Sequence, residues 1–180
     1  MTTNTLLPGD NIVFKGVGSL YTVLSAILCL KDKTWKARTW KGWHTGYVVE
    51  VLPDGSIVTS QAVNMKEGVC AVTYDSIADM GDCRIYHWLT ALDQERISKY
   101  ANDMNGAPYN PWAYPLTVIT YLLNIQADLI VRAKTCWQNV ADFNISMGRP
   151  MQPIDRFPMI SNMMTAWETN TPTLKAKKKV

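Results

Sequence analysis

The chain has 180 residues, of which 47% are hydrophobic and 18% charged, a composition typical of a folded globular domain. This composition excludes a disordered chain. The formal net charge is +3, and part of it lies in the lysine-rich end 175–179. The body is therefore close to neutral, which argues against nucleic-acid binding. We expect the basic tail to be solvated, with contact to phosphate or anionic lipid as the alternative.

Two further absences narrow the class of protein. The N-terminus has no basic region ahead of an apolar core, so no signal peptide is expected. The apolar run 17–30 is too short to span a membrane, and the run 115–131 is interrupted by polar residues. We expect a soluble protein that is cytoplasmic or associated with a virion. The four cysteines, at 29, 70, 83 and 136, lack metal-ligand spacing, so neither a metal nor another cofactor is expected.

Apolar periodicity and turn residues predict both strands and helices. We expect strands at 11–15, 43–52, 56–63, 68–74 and 83–88, and helices at 19–30, 91–105, 115–132 and 136–147, with a loop over 31–42. The fold class is therefore α+β, with a small antiparallel sheet of about four to six strands packed against helices. One domain is expected over 1–150. The C-terminal extension 151–180 is the candidate for contact with a membrane surface or another protein.

Cys136 follows Thr135, a residue that commonly caps a helix, and so lies in the first turn of a predicted helix. The unpaired backbone N–H groups and the dipole at this end of a helix favour a thiolate. Arg132 and Lys134 add positive charge nearby. A nucleophilic cysteine also needs a histidine to take its proton. The alternative is that Cys136 is a small buried hydrophobic residue, because its helical face continues through apolar side chains.

His44 is one of only two histidines in the chain and lies near the start of the strand 43–52. It becomes a base for Cys136 if the helix packs on the sheet. A third group should hold the imidazole. With Asp54 and Gly55 as a two-residue turn, Gln61 opposes Val48 and lies on the His44 side of the sheet. A flat ladder separates Gln61 from His44 by roughly 13 Å, so a bulge, strand twist or a longer turn is needed. The alternative for Gln61 is a solvated strand residue.

The order of the motifs resembles one family. They are LPGDNIVF from residue 7, WHTGYVV from 43, SQA from 60, GV at 68, GAPYN from 106 and TC at 135. This order is similar to that of the circularly permuted NlpC-type papain-like cysteine hydrolases, which include YiiX-like and lecithin–retinol-acyltransferase-like proteins. In that branch the histidine strand precedes the cysteine helix. The resemblance covers about residues 6 to 150.

The resemblance implies a fold and a set of roles. Cys136 matches the nucleophile at a helix N-terminus, His44 the general base and Gln61 the third polar group. Tyr109 matches a tyrosine beside the cleft, and Trp43 and Trp137, next to the two catalytic positions, are the other expected substrate contacts. The implied chemistry is attack of a Cys136 thiolate on an amide or ester carbonyl, with an acyl-enzyme intermediate.

Three functions follow as hypotheses. The first is a hydrolase of amide bonds that acts on peptidoglycan-type peptides, either as a cytosolic recycling enzyme or as a phage-encoded enzyme carried in the virion. The second is a lipid or thioester acyltransferase or hydrolase. The third is a non-catalytic structural or binding protein on the same fold. The segment 35–43, rich in tryptophan and basic residues, is expected either to form a cleft wall for an anionic substrate or to cover the edge of the sheet.

Overall fold

An antiparallel sheet organises the chain. The computed structural model describes residues 6–31, 33–38, 40–64, 66–88, 92–110, 112, 115, 118–119, 122–123, 135–149, 167 and 173–176. Within these residues the sheet has six strands in the order β4-β3-β2-β1-β5-β6. The strands are β1 (Asn11–Lys15), β2 (Gly42–Val51), β3 (Ile57–Asn64), β4 (Gly68–Tyr74), β5 (Cys83–Tyr86) and β6 (Thr173–Ala176).

Helices complete the α+β fold that the sequence predicts. They are α1 (Ser19–Lys31), α2 (Trp35–Arg38), α3 (Gln94–Met104) and α4 (Cys136–Ser146), with a short 3-10 helix at Ile77–Met80. The predicted helix 115–132 lies largely outside the described residues, although residues 115, 118–119 and 122–123 are helical. In the part of the chain that the structure describes, no helix is both long and apolar enough to cross a bilayer.

Two segments differ from the sequence prediction. The expected loop 31–42 contains the short helix α2, because Trp35 turns into the core and is buried. The expected solvated tail contributes β6, which pairs with the edge of β5 that β1 leaves open. Pairing of an exposed edge satisfies backbone groups that the sequence pattern alone does not reveal. The remainder of the extension 151–180, apart from residue 167, lies outside the described residues.

The two faces of the sheet are covered differently. On one face Tyr47 of β2 stacks on Phe143 of α4, with ring centroids 3.8 Å apart and an interplanar angle of 2°. On the other face Ile12, Val48 and Ile85 form a second apolar cluster. This division follows from the alternation of side chains along a strand. It sets the face on which each candidate catalytic residue lies.

Candidate active site

The hairpin between β2 and β3 has a different register from the predicted one. Gln61 opposes Gly46, not Val48. The two-residue turn is wrong, because the Leu52 N–H donates to the Ser56 carbonyl at 2.8 Å and leaves residues 53–55 in the turn. A register shift between Val48 and Glu50 adds a further offset. Gln61 therefore lies two positions nearer to His44 along the ladder than a regular two-residue hairpin would place it.

Gly46 allows the Gln61 side chain to cross β2. A Cβ atom on Gly46 would lie 2.7 Å from Gln61 Cγ and 2.9 Å from the Ser60 carbonyl oxygen. Because Gly46 has no side chain, Gln61 lies over it and reaches His44. The distance between Gln61 Oε1 and His44 Nε2 is 2.8 Å. The offset of roughly 13 Å expected for a flat, regular ladder is thus removed by the turn, the bulge and this glycine.

A chain of hydrogen bonds fixes the orientation of the Gln61 amide. The Thr59 hydroxyl donates to the Val72 carbonyl at 3.0 Å, so its oxygen is free to accept. Gln61 Nε2 donates to Thr59 Oγ1 at 2.8 Å and to the Tyr74 hydroxyl at 3.0 Å. Gln61 Oε1 is consequently the atom that faces His44. Neither Thr59 nor Tyr74 is predicted from the sequence, although the alternation of Thr59 and Gln61 on one face of β3 is a signal for the first.

This network selects one tautomer of His44. Because Gln61 Oε1 can only accept, His44 Nε2 must carry a hydrogen and donate it. The other ring nitrogen, Nδ1, is left with a lone pair in the neutral imidazole. Burial lowers the pKa of His44, and the hydrogen bond to Gln61 opposes that shift only in part. His44 is therefore a neutral residue with Nδ1 available as a base.

Cys136 is the first residue of α4, as predicted. Thr135 caps the helix, since its side chain accepts from the Gln138 N–H at 3.1 Å. The Cys136 sulfur accepts hydrogen bonds from backbone N–H groups, among them that of Thr45 on β2. The thiol therefore contacts the backbone of the residue that directly follows His44.

The Thr45 N–H is available because the ladder between β2 and β3 ends there. The Val48 N–H donates to Asp10 on the β1 side, so the backbone groups of Thr45 and Trp43 point to the β3 side. The last pair of that ladder is Gly46 with Gln61. Beyond this pair, residues at the N-terminus of α4 bind the backbone groups of β2 that β3 leaves unpaired. Trp137 Nε1 donates to the Trp43 carbonyl at 3.1 Å.

The imidazole and the helix α4 lie on different faces of β2. The His44 ring stacks on Phe14 of the opposing strand, with centroids 5.5 Å apart. Phe14 belongs to the second apolar cluster, whereas Tyr47 faces α4. The Cys136 thiol consequently lies at the open edge of β2, beside the backbone of Thr45, and does not lie on the face that carries the imidazole. The structure joins His44 to Gln61 and places Cys136 at the neighbouring backbone.

The protonation state of Cys136 differs from the sequence expectation of a depressed pKa. Burial raises the pKa of the Cys136 thiol to about 11. The N–H groups of Thr45, Trp137 and Cys136 itself lower it, but burial outweighs them. Arg132 and Lys134, the two residues predicted to add positive charge, lie outside the described residues. Cys136 in the resting protein is therefore a neutral thiol.

Tyr109 lies near the thiol, whereas the tryptophans are packing residues. Burial raises the pKa of Tyr109 to about 12, and negative charge on Cys136 contributes to the rise. Trp137 is only 2% exposed, and Trp43 is half-buried with its ring edge-on to Tyr21 at 5.2 Å. Contact of Trp43 and Trp137 with a substrate stays a prediction. Trp35 is also buried, so covering the sheet is the better description of the segment 35–43 than a cleft wall.

The second histidine has a separate structural partner. His87 Nδ1 lies 3.1 Å from the buried carboxylate of Asp10. Burial raises the pKa of Asp10, and the His87 contact opposes the rise. Arg149 donates to the Gly9 carbonyl and to Asn144, which ties the end of α4 to the turn before β1. His87 therefore belongs to a cluster that holds β1, β5 and α4 together.

Replacing Gly46 by alanine tests how the site is assembled. The new Cβ would collide with Gln61 Cγ and with backbone of β3, so we expect the free energy of unfolding to fall by about 1–3 kcal/mol. We also expect the His44–Gln61 hydrogen bond to break. Urea unfolding measures the first effect, and imidazole ¹⁵N chemical shifts measure the second. An unchanged His44 tautomer in Gly46→Ala would show that the glycine is not what admits Gln61.

Comparison of the sequence with protein-family models and with curated proteins gave no match. The basis for a functional proposal is therefore the arrangement of three residues. His44 and Gln61 share a hydrogen bond of 2.8 Å, and the Cys136 thiol accepts from the N–H of Thr45.

Proposed function

We propose that the protein is a cysteine hydrolase of the permuted papain-like type, which cleaves an amide bond through an acyl-enzyme on Cys136. The observation that carries the proposal is the 2.8 Å hydrogen bond between His44 Nε2 and Gln61 Oε1. It commits Nε2 to donation and leaves Nδ1 as the base, next to the strand position that contacts the thiol. The same arrangement of base and orienting group occurs in nucleophilic hydrolases of unrelated folds.

The neutral state of both groups determines the proposed mechanism. His44 Nδ1 takes the Cys136 proton as the sulfur attacks the carbonyl carbon, so no resting ion pair is required. The backbone N–H of Cys136 stabilises the negative charge that forms on the carbonyl oxygen. Gln61 Oε1 stabilises the imidazolium. His44 then transfers the proton to the leaving amine, and a water molecule attacks the thioester with His44 again as base, which releases the acid and the thiol.

The substrate class that we propose is a peptidoglycan-type peptide. Its support is the motif order that the chain shares with permuted NlpC-type hydrolases. A cytoplasmic or virion-associated enzyme fits this substrate when the enzyme acts in wall recycling or is carried by a phage.

A non-catalytic protein on the same fold is the second candidate. The observation that favours it is the burial of Cys136, which is only 6% exposed and has a pKa raised to about 11. In this case Cys136 is a core residue and the His44–Gln61 pair is a satisfied polar contact. The two candidates differ in one property, the reactivity of Cys136 toward a carbonyl substrate.

Acylation of Cys136 separates these candidates. The protein is incubated with muropeptides, with palmitoyl-coenzyme A as a second acyl donor, and is quenched in acid for intact-mass and peptide mass spectrometry. We expect cleaved muropeptides and an adduct on Cys136 that Cys136→Ala abolishes. Cys83 is the matched control, because it is also buried, with a pKa raised to about 11, but lies on a strand. Palmitoylation of Cys136 without muropeptide cleavage would replace the proposal by the lipid or thioester hypothesis, and no adduct with either donor would favour the non-catalytic one.

A further inference from the structure

Helix α1 has two apolar faces. Tyr21, Ser25 and Leu28 are buried and lie on one side of the helix. The opposite side carries Leu20 and Leu30, which are 65% and 84% exposed. At 100° per residue the spacing of Leu20, Val23, Ile27 and Leu30 forms one stripe, roughly opposite the buried side. This stripe is called the outer stripe of α1 below. Leu20, Val23 and Leu30 in it are exposed, whereas Ile27 is partly buried against the core.

The sequence around the outer stripe is mostly basic, although Lys15 forms an ion pair with Asp82. Residues 11–48 contain six basic residues and one acidic residue. Helix α1 has no acidic residue in its first turn and ends at Lys31. Exposed lysines follow directly at 33, 36 and 41. The buried Trp35 fixes α2, which carries Lys36, against the core next to the end of α1. The lysines therefore follow directly on the end of α1 that carries the exposed Leu30.

We propose that this surface docks on an anionic lipid membrane, with α1 lying in the plane of the interface. An exposed apolar stripe next to lysines supplies the two contributions to interfacial binding, which are buried apolar area and attraction to anionic lipid. Lysine stems are apolar and reach from the acyl boundary to the phosphate headgroups. With 13 residues α1 is too short to cross a bilayer, which needs about 20, so only an in-plane position is open to it. The inference does not depend on the chemistry of Cys136.

Charge complementarity favours a lipid surface over a second copy of the chain. Parallel pairing of two outer stripes would bring two sets of lysines together, with repulsion between them, and antiparallel pairing would leave both sets without an opposite charge. An anionic bilayer accepts the apolar side chains and neutralises the lysines at the same time. Each lysine near such a surface raises the binding constant by about fivefold at physiological salt.

Vesicle co-sedimentation tests the proposal with the full chain. The two probes are vesicles of phosphatidylcholine alone and of phosphatidylcholine with phosphatidylserine at roughly 7:3, a strongly anionic mixture. We expect binding to the anionic vesicles at least tenfold tighter than to the neutral ones, with a loss in high salt. The triple variant Leu20→Gln, Val23→Gln and Leu30→Gln should bind at least tenfold more weakly. Replacing Lys33 and Lys36 by glutamine should lower binding to the anionic vesicles by about 10- to 30-fold.

Matched controls come from other exposed positions. Ile145 of α4 is 56% exposed, like Val23, and Ile145→Gln should bind as the wild type does. Replacement of the exposed Lys66 and Lys99 by glutamine controls for net charge. Absence of binding by the wild type, or equal binding by the triple variant, would overturn the proposal. A dimer that the triple variant converts to monomer, seen by light scattering, would identify a second copy as the occupant. A large fall in thermal stability of the triple variant would identify the chain itself as the cover, and either result would also overturn the proposal.

Discussion

Replacing His44 by alanine is expected to lower kcat/KM for muropeptide cleavage by about 10³-fold, mostly through kcat. The reason is the state of the thiol. With a pKa of about 11, Cys136 is thiolate in only roughly one molecule in 10⁴ at pH 7. Without a base at His44 Nδ1 the reaction depends on that small fraction. General-base catalysis therefore accounts for the expected loss.

The pH profile distinguishes loss of the base from loss of structure. Burial lowers the pKa of His44, so the imidazole stays neutral and active below its ordinary value of 6.5, and the acid limb of the wild-type profile should lie below that pH. In His44→Ala the acid limb should disappear. Activity should then rise about tenfold per pH unit above neutrality, toward the pKa of the thiol.

His87→Gln is the matched control for this experiment. His87 is the other histidine of the chain, and its partner is Asp10. Glutamine keeps a donor toward that carboxylate, so the variant should retain the wild-type pH profile. A His44→Ala variant that folds and keeps both the rate and the acid limb of the wild type would show that His44 is not the base.

The elements could be predicted because their patterns are local. Strands β1 and β4 have the predicted bounds, since alternating side chains between turns determine them. The α+β class and the N-terminal position of Cys136 on α4 follow in the same way. Helix α2 and β6 could not be predicted because both depend on distant partners. Trp35 needs the core, and residues 173–176 need the open edge of β5.

The candidate site was predictable in its residues but not in its register. The sequence places Gln61 on the His44 side of the sheet, and the hydrogen bond between them agrees with that. The three residues 53–55 in the turn and the bulge after Val48 are not visible in the pattern. Both are small changes of backbone, yet each moves a whole strand relative to its neighbour. The role of Gly46 becomes apparent only once the register is known.

The pKa of Cys136 shows a second limit of prediction from the sequence. The favourable end of a helix is a local feature, and the sequence predicts it correctly. Burial depends on everything that packs around the sulfur, which includes the open edge of β2 and the loop with Tyr109. Burial outweighs the helix N-terminus, which is why the proposed mechanism begins from a neutral thiol and not from an ion pair.

Replacing Gln61 by leucine is expected to lower kcat/KM by about 10²-fold or more, because the imidazole loses the acceptor that fixes its tautomer. In the wild type, imidazole ¹⁵N shifts should show hydrogen on Nε2 of His44. In Gln61→Leu both tautomers should be present, since Nε2 no longer has a carbonyl to donate to. Gln138→Leu is the control, because Gln138 pairs with Asp142 on α4 and not with the imidazole.

Gln61→Glu tests whether residue 61 acts by accepting the hydrogen bond from His44 Nε2. A carboxylate keeps an acceptor for His44 Nε2 and favours the imidazolium, so the pKa of His44 should rise and the acid limb of the rate profile should move to higher pH. At pH values well above the acid limb, Gln61→Glu should be more active than Gln61→Leu, because the His44 tautomer is again fixed. If Gln61→Leu and Gln61→Glu lose activity equally and the limb does not move, Gln61 acts only as a packing residue. Another group would then have to set the acid limb and the His44 tautomer. Thr59 and Tyr74, which orient the Gln61 amide, would have no part in the chemistry.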